Sequence, residues 1–386
     1  MNQDPLHIIT CEFPPEKGGV ADYTLILSRE LSRLGQEVVV WAPPEPASGT
    51  ATNSPEVKVV RLRGRFLPSD LLALERELNR YPGPRQLLVQ WVPHGYGLKS
   101  MNLFFCAWIT SRAMLSGDRL QVMVHEPCAP YRGLSVKGNL IAFAHRLMLL
   151  VLLHKASRIW VSTPTWVDRI RPYSPGSAMP IRWLPIWSNI ARIDSDPGSL
   201  RRIRTSLGFT GKHLIGHFGT YSSELGQALD AIMVEVLERR DDVAFLLLGR
   251  GGAEFLQSFR SRNARLAQAV HATGHLPDHD LSLRLSTCDL MLQPYTGGIN
   301  VRHGSALAVI SHGLPMVTNR GIITENLWEE PFGGLLCPSM KDAAVFADAV
   351  TALLTDADRR RQMSEDAARF YEKHFSVAQS AARLLG

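Results

Sequence analysis

Short apolar runs alternate with longer amphipathic stretches along almost the whole chain. The runs at 7–11, 37–41, 87–92, 121–124, 159–162 and 181–184 are rich in Val, Ile and Leu and flanked by turn residues or helical stretches. Runs of that length predict strands buried on both faces of a parallel sheet. Residues 21–34 carry apolar positions at helical spacing and are followed by Gly35, which predicts an amphipathic helix. Pro164 opens another helix, and residues 43–56, rich in Pro, Ala, Ser and Thr, predict a surface loop. Pro, Gly and acidic residues at 194–198 read as a linker. The alternation then restarts, with strands at 213–218, 243–248, 270–273, 289–292 and 316–318 and helices at 341–354, 358–374 and 376–385. The pattern is that of an α/β chain with two Rossmann-like halves, divided at 190/191.

Two stretches stand out. In the first, Gly297 and Gly298 make a loop, a helix starts near Gly304-Ser305 and runs to His312, and Gly313 takes the place of a C′ residue. A helix entered from such a loop offers free backbone N–H groups and a positive dipole end, which suits a phosphate. Arg302 and His303 lie at the entrance. The alternative is a helix capped for structure alone. The second stretch, 139–156, is strongly apolar, but His145, Arg146, His154 and Lys155 leave too short an uncharged run to cross a bilayer. A core helix is expected, with a helix lying at a membrane surface as the alternative.

Composition narrows the class. A chain of 386 residues, 45% hydrophobic and 20% charged, fits a soluble enzyme of two domains. Five scattered cysteines without Cys-x-x-Cys spacing point to reduced thiols in a cytosol, and the first ten residues do not read as a signal peptide. Charge is uneven. Residues 1–190 hold 21 Lys and Arg against 14 Asp and Glu, and residues 191–386 hold 21 against 22. A basic first half suggests an anionic acceptor or peripheral association with an anionic membrane surface, the alternative being an ordinary arginine-rich surface. Nucleic acid is not expected, since no recognition motif with interleaved aromatics is present. Asp241-Asp242 reads as a turn before a strand, and no metal site is expected.

The stretch 294–319 resembles the donor-binding segment of the retaining, nucleotide-sugar-dependent glycosyltransferases of family 4. Its ending, Gly313-Leu314-Pro315-Met316-Val317, follows the family pattern, while the two glutamates usual there would fall at Asn300 and Ala308. Arg302-His303-Gly304-Ser305 is similar to a divergent branch of that family. Pro14-Pro15 followed by Gly18-Gly19-Val20 resembles the family's first loop, which implies backbone contact of Gly18 and Gly19 with donor phosphate and acceptor. The loop after 87–92 implies His94 and Tyr96 as acceptor-side residues. His125-Glu126-Pro127 resembles a segment of mannosyltransferases acting on lipid acceptors, which implies His125 as the catalytic residue at the donor sugar and Glu126 on the acceptor side. Thr220 and Leu225 stand where the family has an Arg/Lys diphosphate clamp, leaving Arg250 and Arg302 as candidate donor-binding cations. Gly274-His275-Leu276-Pro277 implies Leu276 at the nucleotide base.

The resemblance implies two facing Rossmann-like domains of the glycosyltransferase B type with a cleft between them. It implies an acceptor-side domain at 1–190, a nucleotide-sugar-binding domain at 191–365, and helices at 366–386 returning to the first. The implied reaction is sugar transfer with retention from a nucleoside diphosphate sugar to a hydroxyl acceptor that is anionic, lipid-linked or a saccharide. The implied setting is cytoplasmic, including the inner face of a membrane, with no cofactor beyond the donor. The alternatives are a non-catalytic glycosyltransferase-like binding or scaffold subunit, and a nucleotide-sugar epimerase on the same fold.

Overall fold

The computed structural model describes residues 4–45, 56–176 and 178–386. Most of the predicted loop 43–56 lies outside the described residues. The chain forms two units, 1–186 with 377–386, and 187–376.

In the first unit the strands are β1 (Leu6–Thr10), β2 (Val38–Ala42), β3 (Lys58–Arg61), β4 (Gln86–Trp91), β5 (Arg119–Val124), β6 (Ala156–Val161) and β7 (Ile181–Trp183). They pair in the order β3-β2-β1-β4-β5-β6-β7, all parallel. The helices between them are α1 (Gly19–Arg33), α2 (Pro68–Leu78), α3 (Leu103–Leu115), α4 (Val136–Leu153) and α5 (Trp166–Ile170). Every residue of β1 and β2 is buried, as a parallel sheet covered on both faces requires. β3 escapes a reading of apolar runs because Lys-Val-Val-Arg is an edge strand with only two apolar residues between charged ends.

The second unit repeats the plan. Helix α6 (Pro197–Ser206) leads into β8 (His213–Phe218), α7 (Ser223–Arg239), β9 (Val243–Leu248), α8 (Gly252–Arg262), β10 (Val270–Gly274), α9 (Asp278–Ser286) and β11 (Leu290–Gln293). Then come α10 (Gly304–Ser311), β12 (Met316–Asn319), β13 (Gly334–Cys337), α11 (Ala343–Thr355) and α12 (Ala357–Phe375). The sheet order is β10-β9-β8-β11-β12-β13, again all parallel. Of the terminal helices expected to return together, only α13 (Val377–Leu385) joins the first unit, where it packs on α1. Helix α12 stays in the second because Phe370 and Phe375 sit 5.5 and 6.5 Å from the Trp328 ring.

Two expectations change in the first unit. Tyr96 is not an acceptor-side residue. It is fully buried, its ring stacks on Phe105 at 4.2 Å, and its hydroxyl donates to Gln90 O at 2.6 Å, 3.3 Å from Ile9 O. It ties β1 to β4 where the strand order reverses. Helix α4 is a core helix on one face only. Ala142, His145, Met148, Leu149, Leu152 and Leu153 are buried, whereas Leu140 and Phe143 are each 59% exposed.

Tyr96→Phe removes one buried hydrogen bond, and a loss of about 1 kcal/mol of stability is expected. Denaturant titration checks it. A change in donor or acceptor KM without a change in stability would return Tyr96 to the site.

Candidate active site

In open α/β sheets ligands bind at the carboxyl ends of the strands, where the order reverses. In the second unit that point lies between β8 and β11. A cavity of about 620 Å³ opens there. Arg250, Leu276, Arg302, His303, Gly304 and Ser305 all line it, so six of the residues singled out in sequence converge. Asn300 is not among the lining residues. Its Oδ1 accepts from Arg302 N at 2.9 Å, a turn that feeds the chain into α10.

The entrance of α10 is built by aromatic contact. The rings of Tyr295 and His303 stack at 3.9 Å and 5°. Tyr295 Oη and Ser305 Oγ are 2.8 Å apart. Asn300 N donates to His303 Nδ1 at 3.1 Å, which leaves the ring proton on Nε2. Burial, helped by the charge of Arg302, lowers the His303 pKa to about 4, so the ring is neutral at pH 7. The N-cap residue of α10, His303, makes no side-chain capping bond, and the first turn holds no acid. The opposite wall is formed by β8 and β9. A Cβ at Gly249, whose φ is +106°, would lie 2.6 Å from Gly219 O. Only glycine permits that approach. Beside it His217 is fully buried, with Nδ1 2.8 Å from Leu292 O, and burial lowers its pKa to about 4.

The first unit gathers a second group at the ends of β1, β4 and β5. His125, 5% exposed, follows β5 directly. Its Nε2 donates to Gln90 Oε1 at 2.7 Å, and the Tyr23 ring meets it edge-on at 4.8 Å. Tyr23 stands four residues after Gly19 on α1, hence on the same helix face. Among the described residues, nothing beyond its chain neighbours and its own helix backbone lies within 4 Å of a Cβ built at Gly19. His94 and Glu126 meet at 3.6 Å on the surface. Gly18 has another task. Glu12 Oε1 accepts from Val20 N and Ala21 N at 2.8 and 3.0 Å, and a Cβ at Gly18 would lie 2.2 Å from that oxygen. The amides at the start of α1 are thus taken by a carboxylate of the chain itself.

Comparison with known proteins assigns both halves. Residues 18–187 match the family described as "Glycosyl transferase 4-like domain", and residues 212–356 match "Glycosyl transferases group 1". Both domains are glycosyltransferase domains. Solved structures share the two-domain arrangement of strands and helices. HepE of Anabaena in complex with UDP aligns with a TM-score of 0.71 at 14% identity, over 99% of this chain and 98% of that one. Sucrose-phosphate synthase of Thermosynechococcus elongatus gives 0.70 at 15%, over 99% and 97%. WaaG, a glycosyltransferase involved in lipopolysaccharide biosynthesis, gives 0.62 at 14%, over 98% of each. Identities this low show the shared fold. No curated protein sequence matches the chain.

Several residues around these sites carry no motif in the chain: Glu12, Tyr23 and Gln90 in the first glycosyltransferase domain, His217 and Tyr295 in the second. A signal existed for one of them. Gln90 is a polar residue near the end of an apolar strand, and Gln293 repeats it at the end of β11. A glutamine buried there needs a partner supplied by the neighbouring loops.

His7, His217 and His303 each have a pKa lowered to about 4, burial being the first cause in all three. Unfolding returns them toward about 6.5. The unfolded chain then binds more protons, so stability held above pH 6.5 is lost as pH falls toward 4. The denaturation midpoint should drop already between pH 6.5 and 5, above the carboxylate range. A flat midpoint there would contradict neutral burial of these rings.

Proposed function

We propose that the protein is a retaining glycosyltransferase. It transfers a sugar from a nucleoside diphosphate sugar to a hydroxyl of an anionic, lipid-linked or saccharide acceptor, in glycolipid or surface-polysaccharide synthesis at the cytoplasmic side of a membrane. The observation that carries this reading is the N-terminus of α10, free of acids in its first turn, in a cavity at the strand-order reversal of a domain matching group 1 glycosyltransferases. HepE, which shares the fold, has been solved with UDP and with UDP-glucose, which supports a nucleoside diphosphate sugar as donor.

In this mechanism the diphosphate leaves with two to three negative charges and the acceptor hydroxyl attacks from the same face, giving its proton to the leaving oxygen. The protein positions the reactants and stabilises charge on that oxygen. The amides of Gly304 and Ser305 and the dipole of α10 receive phosphate. Arg302 adds a forked, permanently charged donor, and neutral His303 offers Nε2–H. His125, oriented by Gln90, polarises or orients the sugar.

A scaffold subunit is the second reading. It is favoured by Asn300 and Ala308 in place of glutamates and by Leu225, apolar and largely buried, in place of a clamp lysine. Donor binding and slow donor hydrolysis without acceptor separate the two, since a scaffold shows neither.

A charge-assisted hydrogen bond contributes about 1.5–3 kcal/mol, so Arg302→Ala should lower donor kcat/KM about ten- to a hundredfold. Arg302→Lys should recover part of it. If Arg302→Ala stays within about twofold of wild type while Arg250→Ala does not, the clamp belongs to Arg250. His125→Ala should cut kcat far more than nucleotide affinity or stability. Full turnover in a folded His125→Ala protein would remove it from the reaction.

A further inference from the structure

We propose that the face formed by α3 and α4 in the first domain docks the protein on an anionic lipid surface. On α4 the exposed large apolar positions are Val136, Leu140, Phe143, Leu147 and Leu150, spaced 4, 3, 4 and 3 residues apart. At 100° per residue they form one narrow stripe turned to solvent. Helix α3 packs beside α4, Thr110 Oγ1 donating to Val151 O at 2.8 Å, and contributes the exposed Phe104. Leu134, in the turn before α4, is fully exposed. Helix α12 differs. Its exposed positions are mostly charged, including Asp358, Arg361, Glu365 and Arg369. A continuous apolar face of this kind marks an interaction surface.

Charge decides the occupant. From Pro127 to Val167 the sequence holds no Asp or Glu, while Arg132, Lys137 and Lys155 stand exposed at the two ends of the stripe. An apolar stripe rimmed by cations matches an interface of anionic headgroups over acyl chains. A second copy fits less well, because a two-fold pairing would set cationic rims against each other with no acid to answer them. The helix lies on the surface and does not cross it. His145 on its inner face is buried, with Nε2 donating to Ser100 O at 2.8 Å and Nδ1 accepting from Ala129 N at 3.2 Å. That bond also holds the loop after His125 to α4, so the docked surface lies beside the loop assigned to the acceptor. This last link rests on the proposed function, whereas the docking does not.

Co-sedimentation of the full chain with vesicles tests it. Vesicles of phosphatidylcholine mixed with phosphatidylglycerol should retain the protein at low salt and release it as salt rises, and pure phosphatidylcholine should retain it about tenfold less. Leu140→Gln with Phe143→Gln, on the solvent side, should reduce binding about tenfold while leaving the denaturation midpoint and nucleotide binding unchanged. Lys137→Gln with Arg132→Gln should reduce binding to the anionic vesicles alone. Absence of vesicle binding at low salt, or equal binding by the Leu140/Phe143 variant, overturns the proposal. So does a dimer in sedimentation equilibrium that the same variant dissociates. Because vesicle binding is read without turnover, an inactive protein that still binds vesicles would count against the proposed reaction and not against the docking.

Discussion

The first amides of an α-helix have no partner inside the helix, and something must accept from them. The two domains meet this constraint in opposite ways. Helix α1 is closed by the chain itself, Glu12 bonding Val20 N and Ala21 N across the space that Gly18 leaves. Helix α10 has no side-chain cap at its N-cap residue and no acid in its first turn. Its entrance is instead stiffened from the side, by the His303–Tyr295 stack and the Tyr295–Ser305 contact. A stiff, positive helix end, without a side-chain bond from its N-cap residue and in a cavity beside two arginines, suits an anion from outside. The same strand–loop–helix motif therefore yields a joint closed by a carboxylate in one domain and, in the proposed function, the phosphate site in the other.

Much of this was legible in the chain. The central strands were visible because strands buried on both faces must be apolar throughout, and α10 was visible because Gly298, Gly313 and Pro315 bracket it. What stayed hidden depends on distance in sequence. β3 and β13 are four-residue edge strands whose pairing, not composition, defines them. Tyr96 looked like a loop residue, and nothing nearby announces that Phe105 and the carbonyl of Gln90 enclose it. Glu12 read as part of a loop, although its carboxylate determines which glycine must lack a side chain. The stretch 139–156 gave its helix but not its half-exposed state, because periodicity reports one apolar face and α4 has two.

Polar side chains on the fourth strand of each sheet order the loops around them. Gln90 fixes the ring of His125, and Gln293 donates through Nε2 to Phe218 O at 3.0 Å, tying β11 to the end of β8. Each amide keeps one further buried atom, Gln90 Nε2 and Gln293 Oε1, without a hydrogen-bond partner among the described residues. Buried groups of that kind are costly unless something completes them.

The central claim is that the first turn of α10 receives the diphosphate. Amide hydrogen exchange, measured with and without a saturating nucleoside diphosphate, tests it most directly. Exchange should slow at residues 303–306 and in the 219–222 loop, with the first turn of α1 unchanged because Glu12 already occupies it. Unchanged exchange at α10 alongside protection at the start of α1 would contradict it.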